Sequence, residues 1–417
     1  MAKSSKTKAY FLHTLKLTMT ILPGRRTAAQ IVALSILTWA TATAQSTDAA
    51  SMIARIEAAQ VPNRQGFDGL TLNELMQRFR VPGVSIAVIM DGRIHWAKGY
   101  GVADVATGRL VDTGTVFQAA SISKPAFAMT VAKLAQDGRI SLDADVNTFL
   151  KTWKVPDSEH TRDQKVTLRS LMSHTSGASD GFGFPGYNPD EPRPTLVQII
   201  TGEKPSNVGV VRFTRAPYVG FQYSGGGVTL AQLAVTDAIG RPLADLADEL
   251  LVKPLGLTRS SFEQPITDRL AANAAFAHNP GGRRSGPASW HVYPEQAAAG
   301  LWTTPSDLAR IAIEVQRAIK GPKGIVLTQA SARELLSPTG TGGYGVGFGV
   351  AQRGQGWYFS HSGGNWGFAC NLVAHYRKGY GLVIMTNSDA GGAIIGEIEG
   401  RVAAAYGWDI LDKPIPR

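Results

Sequence analysis

Strand-forming runs lie at the two ends of this chain, with helix-forming runs between them. Residues 84–90 are a stretch rich in Val and Ile and apolar but for Ser85, Asp91-Gly92 follows as a hairpin signal, and 94–100 reads as the return strand. Three more strands are predicted over 357–361, 368–376 and 381–387, with a Lys378-Gly379 turn between the last two. An isolated hairpin is marginal in water, so the first two strands need further partners. The far end of the chain supplies them. Helices are predicted over 72–79, 124–136, 168–173, 229–239, 243–251, 305–318 and 394–406, the last ended by Gly407. The pattern predicts an α+β fold: an antiparallel sheet built from both chain ends and flanked by helices, with a mostly helical central subdomain over residues 138–300. A sheet that needs both ends makes residues 45–417 one cooperative domain.

Residues 1–44 read as a leader. A short apolar run over 31–39 follows Arg25-Arg26 and precedes Ala42-Thr43-Ala44, a small-x-small cleavage pattern. The run falls short of the roughly 20 residues that cross a bilayer. The expectation is a signal peptide cleaved after Ala44, a periplasmic or secreted protein, and no stable membrane anchor after cleavage; the alternative is an anchor left in place. Either Met1 or Met19 serves as the start, the latter giving a compact basic segment. Six of the 42 Lys and Arg residues lie in 1–44 and none of the 32 acids, so the formal charge of +10 falls to +4 over 45–417. No basic run with interleaved aromatics remains, which removes nucleic acid from the expected partners. Cys370, the single cysteine, sits in a strand-like run and reads as a buried inert thiol. No His/Cys/Asp cluster has zinc spacing, so neither a metal nor another cofactor is expected.

The chemistry begins at Ser121-Ile122-Ser123-Lys124, where a helix opens. Residues three apart share a helix face, so Ser121 and Lys124 meet without a loop to position them. A serine hydroxyl is a weak nucleophile until a base takes its proton, and a helix N-terminus favours a developing oxyanion. Lys124 serves as base only if its surroundings lower its pKa, and Tyr223 of Tyr223-Ser224-Gly225 meets the same requirement. A Lys/Tyr pair sharing a proton is one way to activate Ser121 and later protonate the leaving group. Alone, Ser-x-x-Lys is weak, since Ser5 to Lys8 repeats it inside the leader. What gives it weight is the order of three stations: Ser121 to Lys124, Tyr223 to Gly225, and His361-Ser362-Gly363.

With these stations the chain resembles the serine β-lactamase and penicillin-binding-protein superfamily, specifically its class C-like branch, which includes D-Ala-D-Ala carboxypeptidases, D-aminopeptidases and family VIII esterases. Further landmarks are Val81-Pro82-Gly83, Lys98-Gly99-Tyr100-Gly101, His174-Thr175-Ser176-Gly177, Lys253-Pro254-Leu255-Gly256-Leu257 and Gly300-Leu301-Trp302-Thr303-Thr304. The resemblance spans residues 70–406. It implies Ser121 as the acylated nucleophile, Lys124 as its activator and Tyr223 as proton shuttle. His361, Ser362 and Gly363 would line the site, and the backbone N–H groups of Ser121 and Gly364 would form the oxyanion hole.

Two departures bear on substrate. The branch's class C β-lactamases carry Asn, which holds the substrate's side-chain amide, where this chain has Gly225. They carry Lys, which helps bind the substrate carboxylate, where this chain has His361, a group mostly neutral at pH 7. The expected activity is therefore that of an exported serine hydrolase acting through an acyl-enzyme on a small ester, amide or peptide-like substrate. The alternatives are a true β-lactamase and a penicillin-binding protein with little turnover. His174 reads as a structural histidine. Gly177-Ala178-Ser179-Asp180-Gly181 lacks the preceding strand and following helix of a nucleophile elbow. The glycine pattern over 340–345 is followed by alternation at Tyr344, Val346, Phe348 and Val350, which reads as a strand, whereas a dinucleotide loop must open a helix.

Overall fold

Gly83–Met90 (β1) and Arg93–Asp104 (β2) form the opening hairpin of a computed structural model that describes residues 48–60, 67–179 and 184–413. The expected leader with its cleavage after Ala44, and Asp180-Gly181 of the rejected elbow, lie outside these residues. Asp91 and Gly92 both take positive φ, 52° and 69°, the conformation of a tight two-residue hairpin. Arg109–Leu110 (β3) adds a short edge strand. From the other end come Gly349–Arg353 (β4), Gly356–Asn365 (β5), Phe368–His375 (β6) and Gly381–Thr386 (β7). The spatial order is β3-β2-β1-β7-β6-β5-β4, antiparallel throughout. The join between chain ends is β1 against β7, in register from Val84 opposite Thr386 to Ile89 opposite Gly381.

Both faces of this join are covered, which is why 84–90 is apolar but for Ser85. Ala87, Ile89, Val383 and Met385 enter one core with Leu308, Ile311, Ala312 and Val315 of the helix Pro305–Lys320. The alternate residues Val84, Ile86, Val88, Leu382 and Ile384 are buried too. The helix Gly391–Tyr406, ended by left-handed Gly407, packs on β6 and β7. Residues Ser51–Arg417 form one compact unit.

The helix that follows the nucleophile, Ser123–Gln136 (α1), is buried nearly all round rather than on one face. Leu243–Ala247, Asp248–Val252 and Gln296–Ala299 of the central region pack against it. Two expectations change. The helix over 243–251 is α-helical only to Ala247 and loosens into a π-helix over Asp248–Val252; Pro254 follows, and it has no N–H for the carbonyl four residues back. The strand read across 344–350 starts only at Gly349. Before it, Gly347 takes φ 84° and lies so close to α1 that a Cβ would meet Ala128 Cβ at 2.4 Å. That contact holds 344–348 as a loop against the nucleophile's helix.

Candidate active site

Ser121 sits in a single 3-10 turn, Ala120–Ile122, that feeds directly into α1. Ala120 is buried with φ 48°, a left-handed conformation that costs a residue with a Cβ about 1–2 kcal/mol. Surrounding bonds hold the turn in place. Ser123 Oγ donates to Ala120 O at 2.6 Å and accepts from Leu301 N at 2.9 Å, while Ala119 N donates to Leu301 O at 2.8 Å. The Cys370 thiol donates to Ala119 O at 3.0 Å, and burial pushes its pKa up, so it is a structural group.

Lys124, one turn on, is 3% exposed. Its Nζ lies 3.0 Å from Ser121 Oγ, donates to Ala298 O at 2.8 Å, and is 5.0 Å from the centre of the Tyr223 ring. Tyr223 therefore comes to the same ammonium as Ser121, although 99 residues of sequence order separate the lysine from the tyrosine. Ser224 caps the helix Gly225–Ile239 (α2), accepting from Gly227 N at 2.8 Å. The three glycines are thus the first turn of a helix.

His361 is the third arrival. Its Nε2 is 2.7 Å from Tyr344 Oη and its Nδ1 is 2.6 Å from Ser362 O. A carbonyl only accepts, so Nδ1 carries the proton and Nε2 accepts from the Tyr344 hydroxyl. Burial first, and then the charge of Lys124, lower the His361 pKa to about 3. The ring is neutral at pH 7. Burial pushes Tyr344 well above its usual value, so it keeps the proton it donates. The ring centres of His361 and Tyr223 are 6.2 Å apart.

Gly363 lets β5 reach the nucleophile turn: a Cβ there would meet Ala119 O at 2.4 Å and Ala120 Cβ at 3.0 Å. Ser362 and Gly364 are exposed, and a Cβ on Gly364 would meet nothing within 4 Å. β4 stops with Gly349 opposite Ser360, so 361–365 continues past its neighbour as open edge. Asn365 fastens that edge, donating to Gln118 Oε1 at 2.9 Å and Ala299 O at 3.0 Å. The structure thus brings Ser121, Lys124, Tyr223 and His361 together and lays Ser362, Gly363 and Gly364 beside the nucleophile turn.

Sequence reading missed two residues. Tyr344, taken as one member of a strand alternation, is the hydrogen-bond partner of His361. Phe184, in a loop of unreadable conformation, lies over Gly225: a Cβ there would meet Phe184 Cε2 at 2.6 Å. No local signal pointed to either contact. Among the described residues no group of three or more His, Cys, Asp or Glu side chains is placed to hold a metal ion, and no helix is long and apolar enough to cross a membrane.

The arrangement can deliver a serine oxygen to an electrophilic carbonyl with a cation and a phenol beside it. Comparison with known proteins agrees with that chemistry. The profile of the Beta-lactamase family matches residues 71–405. Esterase EstB of Burkholderia gladioli is 27% identical over 366 residues, covering 76% of this chain and 81% of its own. Protein flp of Staphylococcus aureus strain N315 is 23% identical over 340 residues, 78% of this chain, which spans only 63% of that protein's length. The octameric penicillin-binding protein homologue from Pyrococcus abyssi superposes with a TM-score of 0.63 at 22% identity, over 82% of this chain and 77% of its own.

Proposed function

This chain belongs to the Beta-lactamase family and is a serine hydrolase; from that premise we propose that it forms an acyl-enzyme on Ser121 and hydrolyses a small ester or amide. The observation that carries the proposal is the placing of Lys124 Nζ, 3.0 Å from Ser121 Oγ and 5.0 Å from the Tyr223 ring centre. In the proposed sequence the Lys124/Tyr223 pair starts one proton short of ammonium plus phenol, and it takes the Ser121 proton as Oγ adds to the substrate carbonyl. The N–H groups of Ser121 and Gly364 receive the oxyanion. Collapse breaks the bond to the leaving group, which leaves with the proton held by the pair. Water then adds to the acyl carbonyl and gives its proton to the pair; collapse breaks the bond to Oγ, which takes that proton back, and the acid and free Ser121 are released.

The site's two departures support an ester- or peptide-type substrate over a β-lactam. His361 is neutral and its ring nitrogens are both engaged, so it offers a substrate carboxylate no charge. At Gly225 the space beyond Cα is taken by the Phe184 ring. The leader-like segment supports export to the periplasm or beyond, with cleavage after Ala44.

The test compares initial rates on a short-chain p-nitrophenyl ester and a chromogenic cephalosporin, with Ser121→Ala as control. Fast, Ser121-dependent ester cleavage with slow cephalosporin turnover is the expected result. Efficient cephalosporin turnover would establish a β-lactamase instead, and a persistent penicillin adduct without ester turnover would establish a binding protein. Ester cleavage that survives Ser121→Ala would remove the nucleophile assignment altogether.

A further inference from the structure

Tyr223 enters the site from a segment without regular structure, just before the first turn of α2. A proton shuttle has to be held at fixed distance from the atoms it serves, and a displacement of about 1 Å can cost about 10²-fold in rate. His174, placed 49 positions earlier in the chain, holds both neighbours of Tyr223. Gln222 N donates to His174 O at 2.8 Å, and Ser224 N donates to His174 Nδ1 at 3.1 Å. Between these two tethers the imidazole packs on the Tyr223 ring, with centres 4.3 Å apart and planes inclined at 36°.

We infer that His174 is a positioning residue for Tyr223, acting as a two-point clamp on the backbone either side of the shuttle. The inference rests on the shuttle reading of Tyr223 given above. Several features support it. His174 takes φ 59°, a left-handed conformation that turns its carbonyl and its ring toward the same stretch of chain. The ring is 1% exposed, so it is walled in rather than loosely docked. Because Nδ1 accepts the Ser224 N–H, the neutral ring carries its proton on Nε2, which has no hydrogen-bond partner, and the ring packs edge-on against Phe221 and Tyr344. Burial first, and then the charge of Lys124, keep the ring from protonating, so the acceptor at Nδ1 is preserved. The next residue extends the same template: Tyr218 N donates to Thr175 O at 2.6 Å.

The test is a mutant cycle read as kcat per active site, with sites counted by covalent titration with a fluorophosphonate and the p-nitrophenyl ester as substrate. H174G suits the left-handed backbone and H174L keeps side-chain bulk; both remove the acceptor. Each is expected to lower kcat per titrated site by about 10²-fold. H174N, whose Oδ1 can accept from Ser224 N and whose backbone tolerates positive φ, is expected to restore most of the loss. In a Tyr223→Phe background the deletions should cost little more. Wild-type kcat per site in whichever deletion folds, a loss that multiplies in full onto that of Tyr223→Phe, or failure of H174N to restore activity would each overturn the clamp. A Tyr223→Phe enzyme with unchanged kcat would overturn the shuttle reading itself, and the clamp with it.

Discussion

His361 Nε2 accepts a hydrogen bond from Tyr344 Oη at 2.7 Å, and this bond sets the charge of the site as much as its shape. With Nδ1 committed to Ser362 O, the imidazole has no free nitrogen to take up a proton. Tyr344→Phe would leave Nε2 buried and unsatisfied, a loss of about 1–3 kcal/mol of stability. Urea unfolding of the variant at pH 7 measures it. No loss would mean that water reaches Nε2 in place of the phenol.

Lys124 is expected to matter for rate and not for folding. Lys124→Met exchanges a buried ammonium for a thioether of similar length, so thermal stability should be kept or raised. Removing a proton-transfer group costs about 10²–10⁴-fold, and kcat on the ester should fall by that amount. Single-turnover kinetics would locate the loss in acylation. Activity near the parent level would take Lys124 out of the mechanism.

Gly225 and Phe184 form a pair. Gly225→Asn places a side chain where the Phe184 ring stands, and overpacking of this kind costs about 1–3 kcal/mol. Gly225→Asn combined with Phe184→Ala should recover the melting temperature lost by the single variant. If the single variant melts like the parent, the loop carrying Phe184 yields at little cost.

Glu295 gives the protein a pH-dependent stability. Its carboxyl is fully buried, neither oxygen has a hydrogen-bond partner, and burial pushes its pKa up to about 7. The folded state then binds more protons than the unfolded state between the ordinary carboxyl range and pH 7, so stability falls as pH rises through that window. The loss amounts to about 3 kcal/mol above pH 7. Glu295→Gln should be more stable than the parent at pH 8 and should flatten the profile. Melting curves from pH 5 to pH 8 check both statements; a parallel profile in the variant would place the pH dependence elsewhere.

The parts of this molecule that could be read in sequence are those set by neighbours along the chain or by a simple demand for pairing. Asp91-Gly92 marks its own turn, and Ser121 and Lys124 lie three residues apart on one helical path. Residues 84–90 and 381–387, apolar on both faces, needed one another to satisfy their edges, and they pair. What could not be read depends on how loops lie in space. Tyr344 reaches His361 only because Gly347 presses its loop onto α1. Phe184 reaches Gly225 across a long irregular segment. His174 is legible as structural, but its hold on both flanks of Tyr223 depends on how two distant segments pack.

The pairing of β1 with β7 also has a meaning in time. During synthesis Val84 to Ile89 leave the ribosome long before their partners Gly381 to Thr386 are made. Until then the middle of the sheet has an open seam. A chain that ends before Gly381 carries Ser121, Lys124, Tyr223 and His361 but lacks the strand that pairs with both β1 and β6.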